Sequence, residues 1–76
     1  MKTIEELEVW MLQNGIKNNY TPNHRYSTDE GEGLEILNGI FVWYYIEKGQ
    51  RNNIKYFENE SQAVEYIYNY LKSNER

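Results

Sequence analysis

The segment that decides the fold is Asn38–Gln50, which reads NGIFVWYYIEKGQ. It opens with an Asn-Gly pair, the strongest short-range signal for a β-hairpin turn. An unbroken apolar and aromatic run follows over Ile40–Ile46, whereas a strand with one face in water should alternate. Both faces of this strand therefore need a cover, and either the rest of the chain or another protein must supply it.

Helical patterns lie on both sides of this strand region. A Thr-x-x-Glu capping box predicts a first helix over Thr3–Asn14, and Gly15 suits the left-handed residue that ends it. Asn59 predicts the cap of a second helix that runs to about Ser73 and carries its apolar residues on one broad face. Both helices are amphipathic, so each is expected to pack against a sheet.

Three or four short antiparallel strands are expected between the helices. In chain order they are a candidate edge strand at His24–Thr28, then Leu34–Leu37, Ile40–Lys48 and Ile54–Glu58, with a turn over Gly49–Asn53. The order helix, strands, helix (α-β-β-β-β-α) predicts an α+β fold, with the helices on one face of a small antiparallel sheet. A chain of 76 residues makes a single domain, 1–76, with a thin core.

The Asn38–Gly39 turn divides the long strand into two faces, because opposed residues in a hairpin point the same way. We name the first the aliphatic face; it holds Ile40, Val42, Tyr44 and Ile46, and an even-length second loop adds Lys55 and Phe57. We name the second the aromatic face; it holds Phe41, Trp43 and Tyr45, and the same loop adds Tyr56.

Two short helices cover one face of such a sheet, and branched aliphatic residues suit helix packing. We therefore expect the helices on the aliphatic face, with Phe41, Trp43, Tyr45 and Tyr56 at least partly exposed, since Tyr and Trp concentrate at interfaces. Two alternatives stay open: the aromatic residues form the core, or each helix covers a different face. A one-residue error in the turn would exchange the two faces.

The composition and charge of the chain disfavour several classes of function. The chain has no cysteine, which fits a reducing compartment, and no apolar run approaches the roughly 20 residues of a membrane span. Its acidic, amphipathic start is not the pattern of a signal peptide. The net charge of −4 disfavours nucleic acid as a direct partner and favours a basic protein. We expect a cytoplasmic protein that does not bind membranes.

The sequence contains few residues that are candidates for a catalytic role. His24 near Asp29 is the one candidate general base, and a lone histidine in a polar loop is usually only solvated. The acids Asp29, Glu30 and Glu32 lack the spacing of a calcium loop. We expect no catalytic residue, no metal site and no cofactor, and hence not an enzyme.

One resemblance covers most of the chain, about residues 3–72. It rests on an N-terminal IEELE helix ending at NGI, a YSTDEG segment, the aromatic strand running into YYIEKGQRN, a strand ending KYF, and the helix ENESQAVEYIYNYL. These features resemble the small immunity proteins of bacterial polymorphic toxin systems, in particular a family with an aromatic strand followed by a Glu-Arg-Gly-Gln-type turn. In this chain the turn is Glu47-Lys48-Gly49-Gln50.

The resemblance implies a cytoplasmic protein that binds a cognate toxin domain and blocks it without chemistry of its own. Such toxins are often nucleases and hence often basic. The residues expected to bind the toxin are the acids Asp29, Glu30 and Glu32, the aromatic anchors Phe41, Trp43, Tyr45 and Tyr56, and the turn residues Glu47, Lys48 and Gln50. The alternative is a small structural or regulatory domain that self-associates, as a homodimer, through its aromatic face.

Overall fold

The elements of the protein follow the predicted order of helix, sheet and helix. The computed structural model describes residues 1–25 and 30–74. Its elements are α1 (Ile4–Gln13), a 3-10 turn (Pro22–His24), β1 (Gly31–Leu37), β2 (Ile40–Glu47), β3 (Gln50–Phe57) and α2 (Glu60–Asn74). The three strands form one antiparallel sheet in the order β1-β2-β3, which confirms the α+β class.

A fourth strand does not appear among the described residues. Pro22–His24, where it was expected to begin, forms a 3-10 turn instead, because proline fixes φ and the His24 N–H closes back onto the Thr21 carbonyl. The rest of the candidate strand, and Asp29 with it, lies outside the described residues.

Helix α1 has the ends that its sequence predicts. The Thr3 side chain accepts from the N–H of Glu6, and the Glu6 carboxylate accepts from the N–H of Thr3, which completes the capping box. The backbone N–H of Lys2 also donates to this carboxylate, and the hydrogen bonds from Lys2 and then Thr3 hold the pKa of Glu6 below its ordinary value. At the other end Gly15 has φ 68°, and the Ile16 N–H returns to the Met11 carbonyl at 2.9 Å.

Both hairpins turn over two residues with positive φ, as type I′ turns require. Asn38 and Gly39 have φ values of 51° and 79°, so the first turn is where the sequence predicts it. The second turn uses Lys48 and Gly49, at 53° and 78°, rather than the longer segment expected over Gly49–Asn53. Strand β3 consequently begins at Gln50 and is eight residues long.

A bulge in β3 reverses the expected direction of its last side chains. From the turn, Ile46 pairs with Arg51 and Tyr45 with Asn52, but beyond an irregularity Trp43 pairs with Lys55. The extra residue lies near Asn53, whose φ is 56°. One inserted residue moves every later side chain to the other face.

The expected faces of β3 are therefore wrong from the bulge onward. Phe57 lies opposite Phe41 and Lys55 opposite Trp43, so both are on the aromatic face. Tyr56 lies opposite Val42 and is on the aliphatic face.

The helices pack on the aromatic face, which corrects the sequence-based expectation. Trp43, only 2% exposed, lies in one cluster with buried residues of both helices. The buried residues of that cluster are Leu7, Met11, Leu34, Trp43, Ala63, Val64, Ile67 and Leu71, with Phe41 and Phe57 packed against it. Rings of Tyr66 and Tyr70 meet the Trp43 indole edge-on, at centroid distances of 6.0 and 5.4 Å. Aromatic packing of this kind adds to the area buried, so an aromatic sheet face suits a helix cover too.

The centre of the aliphatic face is covered by charged side chains. Val42, Tyr44 and Ile46 form a second buried cluster there. The guanidinium groups of Arg25 and Arg51 lie over the Tyr44 ring, at 5.7 and 4.9 Å from its centroid. Long charged side chains bury apolar surface with their stems and planar heads, so they serve as a cover.

The outer edge of β1 is held by the segment before it. The N–H of Leu34 donates to the Tyr20 carbonyl at 2.8 Å. Arg25 donates from Nη1 to the carbonyl oxygens of Asn19 and Glu32. Its guanidinium crosses the backbone where Gly33 has no side chain, and a Cβ at that position would overlap it. Gly33 thus leaves the space that the Arg25 guanidinium occupies, and a larger residue there would displace it.

Candidate partner-binding surface

The turn that carries the family resemblance stands at one end of the sheet, where β2 passes into β3. Glu47 and Gln50 pair across the base of the turn, and the side chains of Glu47, Lys48 and Gln50 are exposed. The backbone N–H of Lys48 donates to Oε2 of Glu30 at 3.3 Å. This hydrogen bond joins the segment that precedes β1 to the turn.

Two more of the predicted residues lie beside this turn. Glu32 is opposite Tyr45, and Tyr45 is opposite Asn52 in the other neighbouring strand. Opposed residues share a face, and so do residues two apart in one strand, so Glu32, Tyr45 and Glu47 all lie on the aromatic face. The core reaches along β2 as far as Trp43, and Tyr45, next on that face, is only half-buried.

These residues define what we call the sheet-end surface: Glu30, Glu32, Tyr45, Glu47, Lys48 and Gln50. Six of the ten residues expected to bind a partner thus lie together, because the starts of β1 and β3 and the end of β2 meet at the same end of an antiparallel sheet.

Glu32 is the least solvated acid of the sheet-end surface. Partial burial raises the pKa of its carboxyl above the ordinary value, and the positive charges of Arg25 and Lys55 oppose that rise. The Lys55 ammonium lies 5.7 Å from the centroid of the Tyr66 ring. A cavity of about 320 Å³ opens between Glu32, Lys55 and Tyr66. A basic side chain entering there would meet a carboxylate that water solvates incompletely.

The chemistry of the sheet-end surface is that of a binding surface. Three carboxylates accept hydrogen bonds from lysine or arginine, and charge-assisted bonds of this type are the stronger ones. Tyr45 offers a ring held on one side by the sheet, so little conformational entropy is lost when a partner covers it. The surface suits a protein contact in which an aromatic residue is surrounded by acids.

Four of the residues expected at the partner interface lie elsewhere or are not described. Trp43 is in the core and Phe41 is half-buried against it, so the expected exposure of Trp43 is wrong. Tyr56 is 69% exposed, as expected, but on the aliphatic face and away from the turn. Asp29 lies outside the described residues.

Sequence reasoning missed Asn52 and Lys55, which lie on the aromatic face beside Tyr45 and Trp43. The two-residue turn places Asn52 there and the bulge places Lys55 there, and the sequence signal for the bulge is weak. Asn53 is one of the few residue types that adopt positive φ readily, but in an Asn-Asn pair next to a turn that preference reads as part of the turn.

His24, the candidate general base, lies beside helix α1. Its Nε2 is 3.6 Å from Oε2 of Glu8, and half of the side chain is exposed. Within residues 1–25 and 30–74 there is no group of three His, Cys, Asp or Glu residues that could hold a metal ion. Neither helix of that part of the chain is long and apolar enough to cross a membrane.

Comparison of the chain with protein-family models, with curated proteins and with solved structures finds no match.

Proposed function

We propose that this protein is an immunity protein, which binds and neutralises a cognate bacterial toxin domain in the cytoplasm by protein–protein contact. Its partner is a basic domain, as nuclease toxins are, and it needs no cofactor for this role. The observation that carries the proposal is the sheet-end surface, in which the Glu-Lys-Gly-Gln turn of the resemblance lies beside three carboxylates and the half-buried Tyr45.

In this proposal the carboxylates of the sheet-end surface attract the basic partner, and the Tyr45 ring is the central contact that holds it. Complementary charge raises the rate of encounter with a basic partner, and central aromatic residues carry a large share of binding energy in protein interfaces. The net charge of −4 supports the same partner chemistry. Trp43 is no longer an anchor in this proposal, because the helices of the same chain cover it.

Self-association through the aromatic face is the alternative function that the sequence raised. The burial of Trp43, at 2% exposure, favours toxin binding over it, because Trp43 is covered by the helices of its own chain and is not free to meet a second copy.

The test is neutralisation in cells. The C-terminal domain encoded by the gene immediately upstream is expressed from an inducible promoter, with and without this chain. We expect growth arrest in its absence, normal growth in its presence, and co-purification of the two proteins. An upstream product that does not arrest growth, or that arrests it equally when the chain is present and folded, overturns the proposal.

The residue-level test replaces Tyr45 with alanine and compares it with Tyr56→Ala, which removes an exposed tyrosine from the other face. Loss of a central anchor should weaken toxin binding by about 2 kcal/mol, whereas the control should change it little. Equal affinities for both folded variants would remove Tyr45 from the interface.

A further inference from the structure

Helix α1 exposes an apolar ridge on the side turned away from the core. Its inward residues, Leu7 and Met11, are completely buried. Its outward residues include Val9 at 48% exposure and Leu12 at 82%. A helix that packs on one face should be polar on the other, so these apolar side chains are out of place in an isolated domain.

Apolar grooves flank the ridge on both sides. One, of about 300 Å³, is lined by Val9, Leu12 and Ile16. The other, of about 500 Å³, is lined by Met1, Val9 and Trp10. A ridge between two grooves is the surface that a second helix packs against, because side-chain ridges of one helix settle into the grooves of its neighbour.

Carboxylates border both grooves. Glu5 lies on both of them, with Glu8 on the first and Glu6 on the second. Each apolar residue of the ridge has an acid one turn earlier in the helix, Glu5 before Val9 and Glu8 before Leu12.

The two acids of the ridge differ in their partners. Glu8 accepts from the Thr21 hydroxyl at 2.7 Å and lies near His24. Glu5 is exposed and has no ion-pair partner among the described residues. The ridge therefore combines an apolar contact with a negative charge that a partner can neutralise.

We propose that the outward ridge of α1, made of Glu5, Glu8, Val9 and Leu12, docks a basic amphipathic helix of the partner protein. Large aliphatic side chains of that helix enter the grooves beside Val9. Its lysine or arginine residues form ion pairs with Glu5 and with the other carboxylates that border the grooves. The charge of the ridge selects this occupant over an acidic helix. The assignment rests on the proposed function for the partner's identity, but its chemistry can be tested without the toxin.

The probe is a synthetic helical peptide of about five turns, with leucine on one face and lysine on the other, titrated into the full chain labelled with ¹⁵N. We expect amide shifts at Glu5, Val9 and Leu12 and changed emission from Trp10, which lines the second groove. A peptide with glutamate in place of lysine should bind at least about tenfold more weakly.

Two variants make the test specific. Val9→Asp with Leu12→Asp should weaken binding of the lysine peptide at least about tenfold, whereas Ile40→Asp, a similarly exposed apolar position on the sheet, should not. Glu5→Lys leaves the apolar ridge intact and should shift preference toward the glutamate peptide. Circular dichroism confirms that each variant is folded.

The outcomes separate this inference from the proposed function. Shifts confined to the sheet, or equal binding of both peptides, overturn the docking assignment. Docking of the lysine peptide together with failure of neutralisation overturns the proposed function and leaves the binding chemistry of the ridge standing. Neutralisation that the Val9 and Leu12 variants do not weaken overturns the inference and leaves the function standing.

Discussion

The two faces of the sheet are covered by different means. On the aromatic face, helices from both ends of the chain cover Trp43 with apolar and aromatic side chains. On the aliphatic face, Arg25 and Arg51 lie over Tyr44, and Arg51 pairs with Glu35 at 2.9 Å, while Tyr56 stays 69% exposed. An aromatic sheet face can therefore take the helix cover, and branched aliphatic residues do not by themselves decide which face the helices pack on.

The largest expected effect is on the aromatic face. Trp43→Ala should destabilise the protein by about 3–5 kcal/mol, the usual cost of removing a large buried aromatic side chain. Tyr56→Ala, on the other face and 69% exposed, should change stability by less than about 0.5 kcal/mol. Urea unfolding of both variants measures the difference, and similar midpoints would show that Trp43 is not in the core.

The bulge can be strained to test its part in setting the faces of β3. Asn53 has φ 56°, a conformation that β-branched residues avoid, so Asn53→Val should destabilise the protein by about 1–3 kcal/mol. Asn53→Gly keeps the residue count and the positive φ, so it should be nearly neutral. Urea unfolding of both variants measures the difference, and a valine variant as stable as the glycine variant would contradict the role of the bulge.

The position of Arg25 over the aliphatic face depends on Gly33, which has no side chain in its way. Gly33→Ala places a methyl group where the Arg25 guanidinium passes, and overpacking of this kind should cost about 1–2 kcal/mol. The same substitution in an Arg25→Ala background should cost clearly less, because the obstructed group is gone. A double-mutant cycle by thermal or urea unfolding measures the coupling, and additive costs would mean that the two residues do not meet.

The smallest effect is a pH dependence confined to the aliphatic face. Burial, and then the neighbouring Glu35 carboxylate, raise the pKa of the Tyr44 phenol above its ordinary value near 10, against the two guanidinium groups. The folded state therefore holds this proton more tightly than the unfolded state. Its contribution to stability is complete below pH 10 and declines as the pH rises further.

Tyr44→Phe should remove that decline. The difference in unfolding free energy between wild type and Tyr44→Phe is the quantity to follow from about pH 8 to pH 11, because contributions that the two proteins share cancel in it. A difference that stays constant over this range would show that the phenol is not perturbed by its surroundings.

Much of the fold follows from local signals in the sequence. The capping box at Thr3, the end of α1 at Gly15, the Asn38–Gly39 hairpin and the Asn59 cap each depend on residues within one turn of each other. These are the interactions that sequence patterns record best, because no distant residue competes with them.

The faces of β3 beyond the bulge, and the cover of each sheet face, could not be predicted in the same way. The first depends on one extra residue near Asn53, and the second on distant residues such as Arg25, which reaches Tyr44 from a segment many residues away. The grouping of Glu32, Tyr45 and Glu47 follows from the register of the first hairpin, so it could be predicted from the sequence. The exposed ridge on α1 could also be predicted, because Val9 and Leu12 fall outside the inward-facing apolar stripe of the helix.

The helices of this chain bury Trp43 on the aromatic face, so the proposed partner contact depends on exposed residues elsewhere. The most direct measurement is acrylamide quenching of a Trp10→Phe variant, in which Trp43 is the one remaining tryptophan. We expect blue-shifted emission that acrylamide hardly quenches, since Trp43 is 2% exposed. Red-shifted, readily quenched emission from the folded variant would contradict the claim.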